Sequence, residues 1–135
     1  MRILIASYEL ENFFGGVQTW SLTMYHAFKK LGHEVYLFTH SNKINENYKK
    51  LLFARNGTFD LILCNINAVL NDIKVFKGKK VFISHGILPR FAQPIAGADI
   101  YIATSEETAE NCKSKGFPVH KIIRNPIDCN RFYFL

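Results

Sequence analysis

Short, continuous apolar runs rich in β-branched residues recur at 3–6, 35–39, 61–64, 81–84, 100–104 and 122–123. This pattern restricts the folds open to the chain more than any other feature. Runs that are apolar throughout, rather than alternating, suit strands covered on both faces, and a parallel sheet flanked by crossover helices covers them in this way. The intervening stretches are long enough for such helices. The clearest begins after Gly15 and Gly16, where Val17, Trp20, Met24, Ala27, Phe28 and Leu31 recur at spacings of three and four. Lys29 and Lys30 suit its negative end, and Gly32 supplies a left-handed stop. A second helix is expected over about 105–115, with Thr104 or Ser105 as its cap, Glu106 and Glu107 at its positive end and Gly116 beyond it. Further helices are expected around 45–56, 68–76 and 91–96. The reading is therefore α/β, an open twisted parallel sheet of about six strands with helices on both faces.

With 135 residues, 48% hydrophobic and 21% charged, the chain is long enough for one core and has no biased or repeated segments. Its three cysteines, Cys64, Cys112 and Cys129, are odd in number and form no CxxC pair, so a reduced compartment without a bound metal is expected. The first apolar run is broken by Glu9 and Glu11, too early for a leader or a membrane span, which gives a cytoplasmic expectation. Asn56-Gly57-Thr58 has the form of a glycosylation acceptor, but in such a compartment Asn-Gly reads as a turn. The net charge of +6 is dispersed without a recognition-helix pattern, so no nucleic-acid partner is expected. It reads either as a solvated surface or as a basic face for anionic lipid headgroups.

Open α/β sheets bind ligands outside the carboxyl ends of their strands. That rule singles out the loops after Ser7, Thr39, Asn65, Ser84, Thr104 and Asn125. In the first loop, Gly15-Gly16-Val17-Gln18 opens a helix, and small residues at a helix's positive end can turn N–H groups toward a phosphate or carboxylate. A plain loop is the alternative reading, because the dinucleotide fingerprint GxGxxG is absent. Ser84-His85-Gly86 puts an imidazole at the rim beside a glycine, where it can donate to a developing anion or a sugar hydroxyl, or serve only structure. His26, His33, His40 and His120 lack that combination. Nucleophile elbow, Walker loop and metal-ligand spacings are all absent, and Glu106-Glu107 reads as a partner of the helix dipole.

Taken in order, Met1-Arg2-Ile3-Leu4-Ile5, Gly15-Gly16-Val17-Gln18, Leu31-Gly32-His33-Glu34-Val35, Ser84-His85-Gly86, Thr104-Ser105-Glu106, Lys115-Gly116 and residues 121–128 with Arg131-Phe132 form a pattern that spans nearly the whole chain. It resembles the Rossmann-like N-terminal domain of retaining GT-B glycosyltransferases of the group 1, family 4 type. The resemblance implies transfer of a sugar, with retention, from a nucleotide-sugar co-substrate to a glycan, lipid-linked or other acceptor. It implies neither metal nor other cofactor. It assigns His85 as the catalytic residue approaching the donor sugar or its phosphate. Donor phosphate or acceptor contacts fall to Gly15, Gly16, Val17, Gln18, Gly86, Thr104, Ser105 and Asn125. Phe13, Phe14 and residues 40–43 shape the acceptor side.

In that scheme residues 1–124 are the acceptor-side domain and 125–135 begin a connection to a donor-binding domain that this sequence does not include. The expected partners are therefore the donor, the acceptor, and a C-terminal domain or second subunit, with peripheral contact at the inner face of a membrane. Alone, the chain is expected to be inactive. The alternative is a non-catalytic binding or regulatory module that docks onto another subunit, for which Phe132, Tyr133, Phe134 and Leu135 are contact candidates. A flavodoxin-like or receiver domain fits less well, since neither a flavin loop nor clustered N-terminal aspartates are present.

Overall fold

The structure is a computed structural model describing residues 1–8, 15–40, 57–88, 90–127 and 129. Six strands alternate with helices: β1 Arg2–Ser7, α1 Gly16–Lys30, β2 Glu34–Thr39, β3 Thr58–Cys64, α2 Asn67–Asp72, β4 Lys77–Ser84, β5 Ile100–Ala103, α3 Glu106–Ser114 and β6 Lys121–Ile122. Two 3-10 turns, Ile73–Val75 and Arg90–Ala92, flank β4. The strands form one parallel sheet in the order β2-β1-β3-β4-β5-β6. Strand β1 lies between β2 and β3, with Ile3 opposite both Val35 and Leu61. The chain moves one way from β1 to β2, crosses back, and then moves the other way from β3 to β6. The strand order therefore reverses between β1 and β3.

Successive side chains of β1 feed two different cores, as the pleat requires. Ile3 and Ile5 join Trp20, Val35, Leu63, Val81 and Ile83 beneath α1, with Met24, Tyr25 and Phe28 packed against them. Leu4 and Ala6 join Phe38, Ile62, Val69, Leu70, Ile73, Phe76 and Phe82 on the opposite face, under α2 and the turn after it. Ile3, Leu4, Ile5 and Ala6 are all fully buried, as expected for a strand covered on both sides. Strand β6 differs. Both its residues are exposed, because it is a short edge strand paired on one side only.

Local chemistry explains where the helices stop. Ser105 caps α3 by accepting from the Thr108 N–H at 3.1 Å, with Glu106 and Glu107 in the first turn. Gly116 (φ 83°) and Gly32 (φ 85°) follow α3 and α1 in the left-handed region. The helix expected over 91–96 is a correction: only the 3-10 turn Arg90–Ala92 forms there, since Pro94 has no N–H for a helical ladder. The stripe expected on α1 is also corrected at its C-terminal end, where Ala27 and Leu31 are exposed. Ser21 and Tyr25 share the inward face instead. The expected helix at 45–56 lies outside the described residues. Among the described residues, no helix is long and apolar enough to cross a membrane.

Gly78 is required by a close backbone approach. The β3–β4 register shifts between Thr58 and Leu61, and a Cβ at position 78 (φ 142°) would overlap the Phe59 carbonyl oxygen, a backbone atom that cannot swing away. Gly78→Ala is expected to cost on the order of 3 kcal/mol, and Ser105→Ala about 1 kcal/mol through the lost cap. Urea titration checks both as shifts in midpoint at constant slope. Equal shifts for the two variants would show that the bulge tolerates a side chain.

Candidate functional site

A cavity of about 430 Å³ opens beside the point where strand order reverses. The first turn of α1, residues 15–18, forms part of its wall. Tyr8, which follows β1, Ile66 and Ala68, which follow β3, and Phe91 also line it. Its position follows from topology: β1 leads to α1 on one face and β3 to α2 on the other, which leaves a crevice between the two helices at the carboxyl edge. Gly15 is extended (φ −110°, ψ 171°) and gives α1 no side-chain cap. A Cβ on Gly16 would meet nothing within 4 Å. The glycine pair is thus not demanded by backbone strain. Its effect is to leave the first turn of α1 bare toward the cavity.

Beneath α1 runs a buried polar chain. The Asn65 side-chain amide donates to Ser21 Oγ at 3.0 Å, and the Ser21 hydroxyl donates to the Val17 carbonyl at 3.0 Å. This ties the exit of β3 to the first turns of α1. Asn65 Oδ1 and Ser7 Oγ, both on fully buried residues at the exits of β3 and β1, have no hydrogen-bond partner among the described residues. An unsatisfied buried polar atom costs about 1–3 kcal/mol. Two such atoms sit together at the reversal point, on the residues that precede the cavity-lining Tyr8 and Ile66.

His85 leaves β4 on the same edge but does not line the cavity. Its ring packs edge-on against Trp20 of α1, with centroids 5.4 Å apart. Burial pushes its pKa down to about 4, against the smaller opposing effect of a hydrogen bond with Asn125. Nε2 is buried with no partner among the described residues. At neutral pH the imidazole is therefore uncharged and suited to exchange a hydrogen bond with a hydroxyl, not to act as a cation against phosphate. Gly86, next in the chain, is half-buried, and Asn125 is exposed.

The remaining sequence-derived candidates sit at this edge but are occupied by structure. Thr104 donates from both its N–H and its hydroxyl to the Ser84 carbonyl at 3.2 and 3.3 Å. Ser105 is spent as the α3 cap and also donates its hydroxyl to Thr108 Oγ1 at 3.0 Å. The structure thus gathers Gly15, Gly16, Val17 and Gln18 at one cavity and pairs His85 with Asn125 nearby. Thr104 and Ser105 serve the fold. His40, which the sequence offers as a loop residue on the acceptor side, pairs with Asp72 and stacks on Tyr8 at 4.8 Å; Ile66 and Phe91 carry no signal in the sequence. Only the strand order brings these side chains together, although the rim rule had flagged the loops after Ser7, Thr39 and Asn65.

Cys64 and Cys112 are buried and Cys129 is exposed; burial raises the Cys64 thiol to about 12, so it stays protonated and inert. Among the described residues no group of three or more His, Cys, Asp or Glu side chains is placed to hold a metal ion. No protein-family model, curated protein or solved structure matches this chain.

Proton-detected NMR titration checks the environment of His85. Its ring is expected to titrate near pH 4, against about 6.5 in an unfolded chain. Because the folded value is the lower one, the unfolded state takes up the proton first as pH falls below about 6.5. This group's contribution to stability is present above that pH and is lost as pH falls toward about 4. A ring titrating near 6.5 would mean that it is solvated.

Proposed function

We propose that this chain is the acceptor-side, Rossmann-like part of a retaining GT-B glycosyltransferase. It transfers a sugar from a nucleotide-sugar donor to a hydroxyl of a glycan, lipid-linked or other acceptor. The observation that carries this reading is the cavity at the strand-order reversal, walled by the bare first turn of α1, with His85 leaving β4 at the same edge. A diphosphate is favoured at the positive end of a helix. The neutral His85 imidazole supplies a hydrogen bond to a sugar hydroxyl in a largely dry setting.

In the transfer, the bond from the anomeric carbon to the diphosphate breaks, the acceptor oxygen bonds to that carbon, and the acceptor proton is released. Charge builds on the departing diphosphate. One helix terminus and an uncharged imidazole neutralise little of it, so the reaction needs cationic or dipolar groups from a second, donor-binding domain. In this reading the chain acts on the cytoplasmic side, and its basic surface residues meet anionic headgroups where the acceptor is lipid-linked.

A second reading, a non-catalytic module docking onto another subunit, is favoured by a different observation. Leu88 (87% exposed), Ile127 (71%) and Ile123 (47%) stand in solvent on the segments following β4 and β6.

Fusions of the full chain to donor-binding domains of several GT-B enzymes test the first reading, through acceptor-dependent release of nucleoside diphosphate. The isolated chain is expected to release none. An active fusion is expected to lose on the order of 10²-fold in rate with His85→Ala. Inactivity of every fusion, with no saturation transfer from nucleotide sugars to the chain, would leave the docking reading in its place.

A further inference from the structure

We propose that the cavity is a ring-binding site, in which Tyr8 and Phe91 form preorganised walls for a flat, apolar-faced ring of the acceptor. The shared ligand chemistry is that of an aryl group or the hydrophobic face of a pyranose. The inference deepens the transferase reading and rests on it for the word acceptor.

Tyr8 is 44% exposed and Phe91 is 50% exposed, yet the Tyr8 ring is backed by a second ring and the backbone that carries Phe91 is tied down. The His40 ring stacks on Tyr8 with an interplanar angle of 17°. His40 is held in turn by its backbone N–H, which donates to the Ser7 carbonyl at 3.0 Å, and by a pairing of Nδ1 with the Asp72 carboxylate. Asp72 ends α2, whose last turn contains no basic residue. A carboxylate at the negative end of a helix is unfavourable alone, so His40 is the partner that makes it tolerable there. The stack is therefore built into the way β2 meets α2, and it backs one face of Tyr8, a residue that lines the cavity.

Phe91 is set by its flanking carbonyls. The Asn67 amide donates to the Arg90 carbonyl at 2.6 Å, and the Ser84 hydroxyl donates to the Ala92 carbonyl at 2.9 Å. The Asn111 amide donates to Gln93 Oε1 at 2.8 Å, which anchors the same turn to α3. Ile66 and Ala68 line the cavity with the two rings and offer side chains with no hydrogen-bonding group. Solvent-exposed aromatic rings that are immobilised in advance bind planar faces at low entropic cost. An alkyl chain gains from the apolar wall but draws nothing from the orientation of Tyr8.

The test titrates the full 135-residue chain with phenyl, methyl and n-octyl β-D-glucopyranosides, the last below its micellar range, and follows ligand ring protons by NMR. Phenyl and methyl glucoside ring protons are expected to move upfield, and the phenyl compound to bind the more tightly. Tyr8→Leu is expected to weaken phenyl glucoside about fivefold to tenfold, and Tyr8→Phe less than about twofold. Asp72→Asn, which removes the charge that holds His40, is expected to weaken it severalfold while amide shifts in β4 and β5 stay in place. Binding by Tyr8→Leu equal to that of the unaltered chain, binding of octyl glucoside alone, or binding of none of the three overturns the proposal. The fusions to donor-binding domains separate the two readings. Ring ligands that bind the chain while every fusion stays inactive uphold the ring site and count against the transferase; an active fusion whose chain binds no ring ligand counts against the ring site alone.

Discussion

Strand β1 is hydrogen-bonded on both sides by parallel neighbours, and every other feature of the molecule follows from that placement. Its two faces supply the centres of both cores: Ile3 and Ile5 under α1, Leu4 and Ala6 under α2. The four residues bury almost nothing but aliphatic surface, each contributing on the order of 1–3 kcal/mol, with Ala6 at or below the lower end. With β2 on one side of β1 and β3 on the other, the helices that follow β1 and β3 lie on opposite faces of the sheet and part at its carboxyl edge. The cavity, the bare start of α1, and Ser7 Oγ and Asn65 Oδ1, which lack partners among the described residues, all lie at that parting.

Much of the scaffold was legible because it is written locally. The six apolar runs became six strands, the run after Gly15-Gly16 became α1, and Ser105 became the cap of α3. The misreadings have local physical causes. Pro94 ends what composition alone makes look helical over 91–96, and Leu31 looks like core by spacing but lies one residue past the end of α1, as its C-cap. Ser21 is polar and still faces inward, because its hydroxyl has the Val17 carbonyl and the Asn65 amide as partners. No periodicity rule anticipates a buried serine of this kind.

The site was less legible, since it is assembled from segments far apart in sequence. The rim rule names the loops after β1 and β3, whose first residues line the cavity, but does not weigh the side chains within them. Thr104 and Ser105 looked available and are consumed by the Ser84 carbonyl and the α3 cap. His40 looked like a loop residue and is the backing of Tyr8. His85 leaves β4 at the rim as expected, but its environment changes its character: tucked against Trp20 it is a neutral hydrogen-bonding group at neutral pH and not a cation.

The account stands on a ligand entering at the parting of β1 and β3, and a crystal structure of the full chain grown with a nucleotide sugar and a glucoside tests it most directly. It predicts ligand density between the first turn of α1 and Tyr8, with a hydroxyl or ordered water satisfying Ser7 Oγ and Asn65 Oδ1. Ligand bound at the amino ends of the strands, or a cavity that stays empty while those two atoms pair with the protein itself, would contradict it.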